Sequence, residues 1–114
     1  MPKLIDTPTL IEAAGTKPKK IEEFVGRVNT KSPEISVAKM TSPGGWAEPG
    51  QTPVFREITY VISGELHVEY KQGTLEVKSG QTIITEPGEW VRYSTPGTEG
   101  AEYIAICLPF LRIV

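Results

Sequence analysis

Gly50-Gln-Thr-Pro-Val-Phe-Arg-Glu57 runs straight into Ile58-Thr-Tyr-Val-Ile-Ser-Gly64, and the reading of this stretch decides the fold. A proline and a glycine open it, a run rich in β-branched and aromatic residues follows, and Ser63-Gly64 closes it, which is the make-up of a strand between turns. Side chains on a strand alternate between faces. Glu57, Thr59 and Val61 therefore share one side, and Ile58, Tyr60 and Ile62 share the other. Both sides are largely apolar, so both are expected to be covered: one by the core, the other by a second chain or the N-terminal segment. A homodimer is the expectation.

Working outward, apolar segments of strand length recur at 21–28, 34–40, 55–62, 66–70, 82–85, 90–93 and 101–108. The breaks between them hold Ser42-Pro-Gly-Gly45, Ser63-Gly64, Gln72-Gly73, Ser79-Gly80, Glu86-Pro-Gly88 and Thr95-Pro-Gly97, where glycine permits positive φ and proline pre-sets a turn. With 11 glycines and 10 prolines so placed, an antiparallel all-β barrel or sandwich is favoured. Thr9-Leu-Ile-Glu12 has the spacing of a capping box and Gly15 supplies a stop, which predicts a short N-terminal helix. The expected division is an N-terminal helix or arm over 1–20 and a barrel over 21–114.

Glu57 and Gly64 also stand at the spacing of the first motif of the cupin superfamily, G-x5-H-x-H-x3-E-x6-G, with its two histidines falling on Gln51 and Pro53. The second motif, G-x5-P-x-G-x2-H-x3-N, lies on Gly80 to Thr95 with Gly80 and Gly88 in register. Its proline is displaced to Pro87 and its histidine falls on Val91. The chain thus resembles a small single-barrel cupin with degenerate metal-binding motifs. The resemblance implies a double-stranded β-helix, or jelly roll, with a ligand site inside it.

In metal-bearing cupins the four ligand positions converge inside the barrel; here they are Gln51, Pro53, Glu57 and Val91. Proline and valine have no side-chain donor, so no metal is expected, and no other cofactor. A transition metal would require a site rebuilt from residues such as Glu48, Glu86, Glu89, Tyr93, Tyr103, Cys107 or His67. Glu57 is the candidate acid or base, because a carboxylate among apolar side chains is disfavoured as an ion. The alternative is a structural pair with Gln51, Arg56 or Arg92. Tyr93 shares a face with Val91 and is the second candidate catalytic residue, its phenol able to orient a ligand near Glu57; the alternative is a core tyrosine. Gln51, Val91, Tyr103, Cys107 and Trp46 are the candidate ligand-binding residues. Trp46 sits in Gly44-Gly-Trp-Ala-Glu-Pro-Gly50, read as a flexible lid or rim, and Cys107 reads as a pocket-lining thiol rather than a nucleophile. His67 alternates with Leu66 and Val68, which places it on the polar face of its strand.

The net charge of −2 gives no basic footprint for nucleic acid. No apolar run approaches the roughly 20 residues of a membrane span, and the N-terminus lacks the apolar core of a signal peptide, so a cytoplasmic protein is expected. No G-x-S-x-G, P-loop, G-x-G-x-x-G or Cys-x-x-Cys occurs. The expected function is binding of a small polar molecule, with a metal-independent lyase or isomerase reaction at Glu57. The alternatives are a metal-dependent dioxygenase or isomerase with a glutamate-rich site, and a non-catalytic binding barrel.

Overall fold

The structure, a computed structural model, describes residues 1–109. The last five positions of the expected barrel, 110–114, lie outside the described residues. Within them the chain forms β1 (Thr9–Ile11), β2 (Lys20–Val25), β3 (Ser36–Ser42), β4 (Trp46–Ala47), β5 (Arg56–Tyr70), β6 (Gly73–Lys78), β7 (Thr82–Thr85), β8 (Val91–Thr95) and β9 (Ala101–Leu108). Every strand pairing is antiparallel, in the order β1-β2-β3-β9-β5-β8-β4, with β6 and β7 also paired to β5. The antiparallel all-β architecture is as expected from the turn spacing, and its jelly-roll form is as the cupin resemblance implies.

β5 is the element that curls the sheet. Its first half pairs with β9 and β7, its second half with β6 and β8. The sequence pattern suggests two strands separated at Ser63-Gly64; instead the chain continues through a bulge between Val61 and Ser63. A bulge bends a strand without ending it, which lets one strand serve both walls. Gly64 sits at φ 78°, and a Cβ there would lie 2.1 Å from the Gly100 carbonyl oxygen, so only glycine allows the two strands to approach.

The two-residue period places the core. Glu57, Thr59 and Val61 of β5 are buried, as are Ala38 and Met40 of β3, Tyr103, Ala105 and Cys107 of β9, Leu66 and Val68 of β5, and Val91 and Tyr93 of β8. Each aliphatic side chain so enclosed contributes about 1.5–3 kcal/mol. Not every buried carboxylate here is chemical: Glu23 of β2 accepts the backbone N–H groups of Val28 and Asn29 at 3.0 and 2.7 Å and closes the turn after its strand.

The expected N-terminal helix is not formed. Thr9–Ile11 is a strand whose partners on β2 are Glu23, Glu22 and Ile21. Between Pro8 and Gly15 there is too little chain to nucleate a helix, whereas the edge of β2 offers ready backbone partners. The Thr9 hydroxyl accepts a hydrogen bond from Asn29 Nδ2 at 3.0 Å instead of capping. The arm therefore adds a strand to the sheet. Gly44 to Gly50 is likewise no loose lid: Trp46 is 1% exposed, and Ala47 pairs with Ser94 of β8.

Candidate functional site

Glu57 lies on the inward face of β5, opposite Cys107 of β9 and Thr85 of β7. It is 7% exposed, and its carboxylate accepts one side-chain hydrogen bond, from Thr59 Oγ1 at 3.1 Å. The structural pairs considered from sequence do not form. Arg56 binds Glu86 at 2.8 Å, Arg92 binds Glu69 at 3.1 Å, and Gln51 Nε2 donates to Glu48 Oε2 at 3.0 Å. Burial pushes the Glu57 carboxyl above the ordinary carboxylate range; the Thr59 hydroxyl and the positive charge of Lys19 oppose that shift without cancelling it.

Lys19 is the group that reading the sequence did not bring forward. Its ammonium lies 4.1 Å from the centroid of the Trp46 ring and 5.2 Å from that of Tyr103. Burial lowers its pKa, while the charges of Glu48 and Glu57 raise it in part. The same chamber raises Glu48 to about 7, first through burial, with Lys19 opposing and Glu57 reinforcing. One ammonium and two carboxyls thus share a poorly solvated space, and their protonation is coupled. The signal for Lys19 was parity: it precedes Ile21 and Glu23 by steps of two, and both of those are buried.

The segment before Lys19 is strapped to the barrel. Thr16 N–H donates to the Ala47 carbonyl at 2.8 Å, Thr16 Oγ1 accepts from Ala47 N–H at 3.1 Å, and Lys17 Nζ donates to the Gly44 carbonyl at 2.9 Å. Gly15 rests against Trp46, where a Cβ would come 2.2 Å from Nε1. These contacts fix the depth at which Lys19 enters.

The expected residues come together unevenly around this group. Tyr93 is buried, its hydroxyl 3.1 Å from Thr85 Oγ1, and burial, then the charge of Glu57, push its phenol pKa up. Tyr103 is held by Ser42 Oγ at 2.9 Å, and burial raises it too. Both phenols are therefore neutral donors rather than acids that ionise near neutral pH. Cys107 is fully buried, and burial and Glu57 raise its thiol, which fits a packed side chain. Gln51 and Val91 meet through reciprocal backbone hydrogen bonds of 2.9 Å; Val91 contributes only a buried methyl surface, and Gln51 reaches the site through Glu48. Trp46 supplies a ring face beneath Lys19.

The cupin metal positions do not fit a metal here. Two of the four, Pro53 and Val91, carry no donor, and both are buried. Lys19 instead brings positive charge to the two carboxyls. Among the described residues, the His, Cys, Asp or Glu group whose ligand atoms converge, all within 4.8 Å, is Glu65, His67 and Glu76. It lies on the outer, polar face expected for His67, with His67 Nε2 2.6 Å from Glu65 Oε2.

Comparison with known proteins agrees with this architecture. The Endoribonuclease YbeY of Myxococcus xanthus (strain DK1622) is 36% identical over 94 residues, 82% of this chain; the chain spans about a third, 32%, of that protein's length. Similar solved structures include a predicted oxalate decarboxylase from Thermotoga maritima, 20% identical with a TM-score of 0.75 over 90% of this chain and 92% of that one. The polyketide cyclase RemF from Streptomyces resistomycificus is 14% identical with a TM-score of 0.78, covering 95% and 80% of the two chains. An RmlC-like cupin from Shewanella frigidimarina is 16% identical with a TM-score of 0.75, covering 94% and 88%. A family model for the cupin domain matches residues 40–107, which takes in both motif regions, and on that match the chain belongs to the cupin family.

Proposed function

We propose that this cupin binds a small polar molecule inside its barrel, in the cytoplasm, and that Glu57 acts there as a metal-independent acid or base of the lyase or isomerase kind. The observation that carries this reading is a buried Glu57 that accepts one hydrogen bond and faces a second carboxyl and an amine instead of an arginine partner. Burial raises both carboxyls, Glu48 to about 7, so a carboxyl of this pair can exchange a proton with a ligand near neutral pH. The phenols of Tyr93 and Tyr103 and the hydroxyls of Thr59 and Thr85 orient the ligand's oxygens. Barrels of this form serve more than one chemistry, so the side chains inside, not the fold, carry the proposal.

The test is solvent-deuterium exchange at carbon in a panel of hydroxy acids, keto acids and small sugars, followed by NMR, with thermal shift as the binding readout. The wild type accelerates exchange in at least one compound, and Glu57→Gln, which keeps shape but not titratability, lowers that rate by about 10²–10⁴. A panel in which nothing is bound or exchanged in a Glu57-dependent way removes the acid–base role and leaves a non-catalytic barrel. The glutamate-rich metal reading is favoured by one feature, the electrostatic influence of Glu57 on Glu48, and elemental analysis of untagged protein decides it: a stoichiometric transition metal supports that reading.

We also propose a homodimer through the outer face of the first β5 half. Tyr60, Ile62 and Ile84 are exposed there, with Ile58, Ile104 and Ile106 half-buried beside them. Tyr60 and Ile104, and Ile58 and Ile84, are direct ladder partners, so the apolar surface is continuous across three strands.

A further inference from the structure

We propose that Lys19 is an imine-forming residue whose ε-amine, held over the Trp46 ring, condenses with the carbonyl carbon of a small neutral hydroxy aldehyde or hydroxy ketone. This rests on the acid–base reading above and names a substrate class for the same site.

The placement of Lys19 supports it first. A groove of about 510 Å³, open to the surface, is lined by Leu10, Ile11, Lys19, Ile21, Ser42 and Pro43 among others, so Lys19 borders a space that is open to solvent. Its amine ends beyond that groove, against the buried rings of Trp46 and Tyr103. Ser42 joins the two regions, lining the groove while bonded to the Tyr103 hydroxyl. Among the described residues Lys19 has no hydrogen bond and no close ion pair, unlike Lys17, Lys20 and Lys39. The strap from Gly15 to Lys17 holds it at that depth.

The chemistry follows from the neighbours. An amine that burial drives toward the neutral form has the free electron pair that addition to a carbonyl requires. Glu48 and Glu57 disfavour an anionic ligand, whereas a neutral carbonyl with flanking hydroxyls suits the surrounding phenols and threonines. The nitrogen pair bonds to the carbonyl carbon and the C=O π pair moves to oxygen, which takes a proton from a carboxylic acid of the Glu48–Glu57 pair. One of the nitrogen's two protons returns to the carboxylate, and the other joins the hydroxyl so formed, which departs as water and leaves the C=N bond. Overall, amine and carbonyl give imine and water, with no oxidant or metal required.

The experiment is reductive trapping on the full chain with glycolaldehyde or dihydroxyacetone and sodium cyanoborohydride, followed by peptide mapping by mass spectrometry. The adduct is expected at Lys19 in at least about tenfold excess over the exposed amines of Lys17 and Lys20. Lys19→Arg, which keeps a long cationic side chain, loses that adduct while its melting temperature stays close to that of the wild type. Labelling of Lys19 no greater than that of Lys17 and Lys20, or none with either compound, overturns the proposal. Glu57→Gln run in parallel separates the two readings. Trapping at an unchanged rate keeps the imine and discards the Glu57 role; Glu57-dependent exchange without trapping does the reverse.

Discussion

The ammonium of Lys19 stands 4.1 Å from the centre of the Trp46 ring, joining a residue of the N-terminal arm to one on the opposite wall of the barrel. That contact makes the arm part of the site. Trp46→Ala removes both the ring face and a fully buried side chain, and should cost about 3–5 kcal/mol in urea denaturation. Lys19→Met should cost far less at pH 6, because it also removes an amine whose charged form burial disfavours. Equal losses from the two substitutions at that pH would show that Lys19 is mainly structural.

Stability should fall as pH rises from about 4.5 to about 7. Glu48 has its folded pKa raised to about 7 from 4.5, and Glu57 is shifted the same way, so in this window the folded state holds more protons than the unfolded one. The stabilisation is fully present below the unfolded pKa and lost through the folded one, at no more than about 1.4 kcal/mol per pH unit for each group. Lys19, lowered in the folded state, contributes in the opposite sense at alkaline pH. Denaturation midpoints across pH 4.5–8 check this, and Glu48→Gln should flatten the slope.

Two of the motif glycines, Gly64 and Gly88, should respond differently to alanine. Gly64 and Gly88 both have positive φ, 78° and 87°, but a Cβ at Gly64 meets backbone at 2.1 Å while at Gly88 it meets nothing within 4 Å. Gly88→Ala should cost about 1 kcal/mol, from backbone conformation alone, and Gly64→Ala clearly more. Similar melting temperatures for the two variants would contradict the close β5–β9 approach.

Cys107 should be silent to a thiol reagent at neutral pH. It is the single cysteine, fully buried, with its thiol held protonated by burial and by Glu57 across the ladder. Reaction with an aromatic disulfide reagent should wait for denaturant. Prompt stoichiometric labelling of the native protein would mean that the β5–β9 wall opens readily.

Tyr60→Glu and Ile84→Glu place charge on the exposed apolar face without entering the core. Sedimentation equilibrium should show a wild-type dimer at micromolar concentration and monomers for both variants. A monomeric wild type would discard the proposed interface.

What the sequence determined by itself was local. The alternation that turns Glu57, Thr59 and Val61 inward is a property of any extended chain, and the turn chemistry of glycine and proline marks most strand ends without reference to the rest of the molecule. The spacing of Glu57 to Gly64 and the missing histidines at Gln51, Pro53 and Val91 were equally plain. Tertiary structure decided the rest, because it depends on contacts between distant segments. Thr9 to Ile11 became a strand because the edge of β2 was available, overriding a capping pattern too short to propagate. Ser63-Gly64 stayed within β5, after a bulge between Val61 and Ser63, with Gly100 passing close to Gly64. Lys19 entered the site because residues 15–17 hydrogen-bond to residues 44–47 and lay the arm over Trp46. Burial and mutual charge, which set the protonation of Lys19, Glu48 and Glu57, arise only when the folded chain excludes water from all three together.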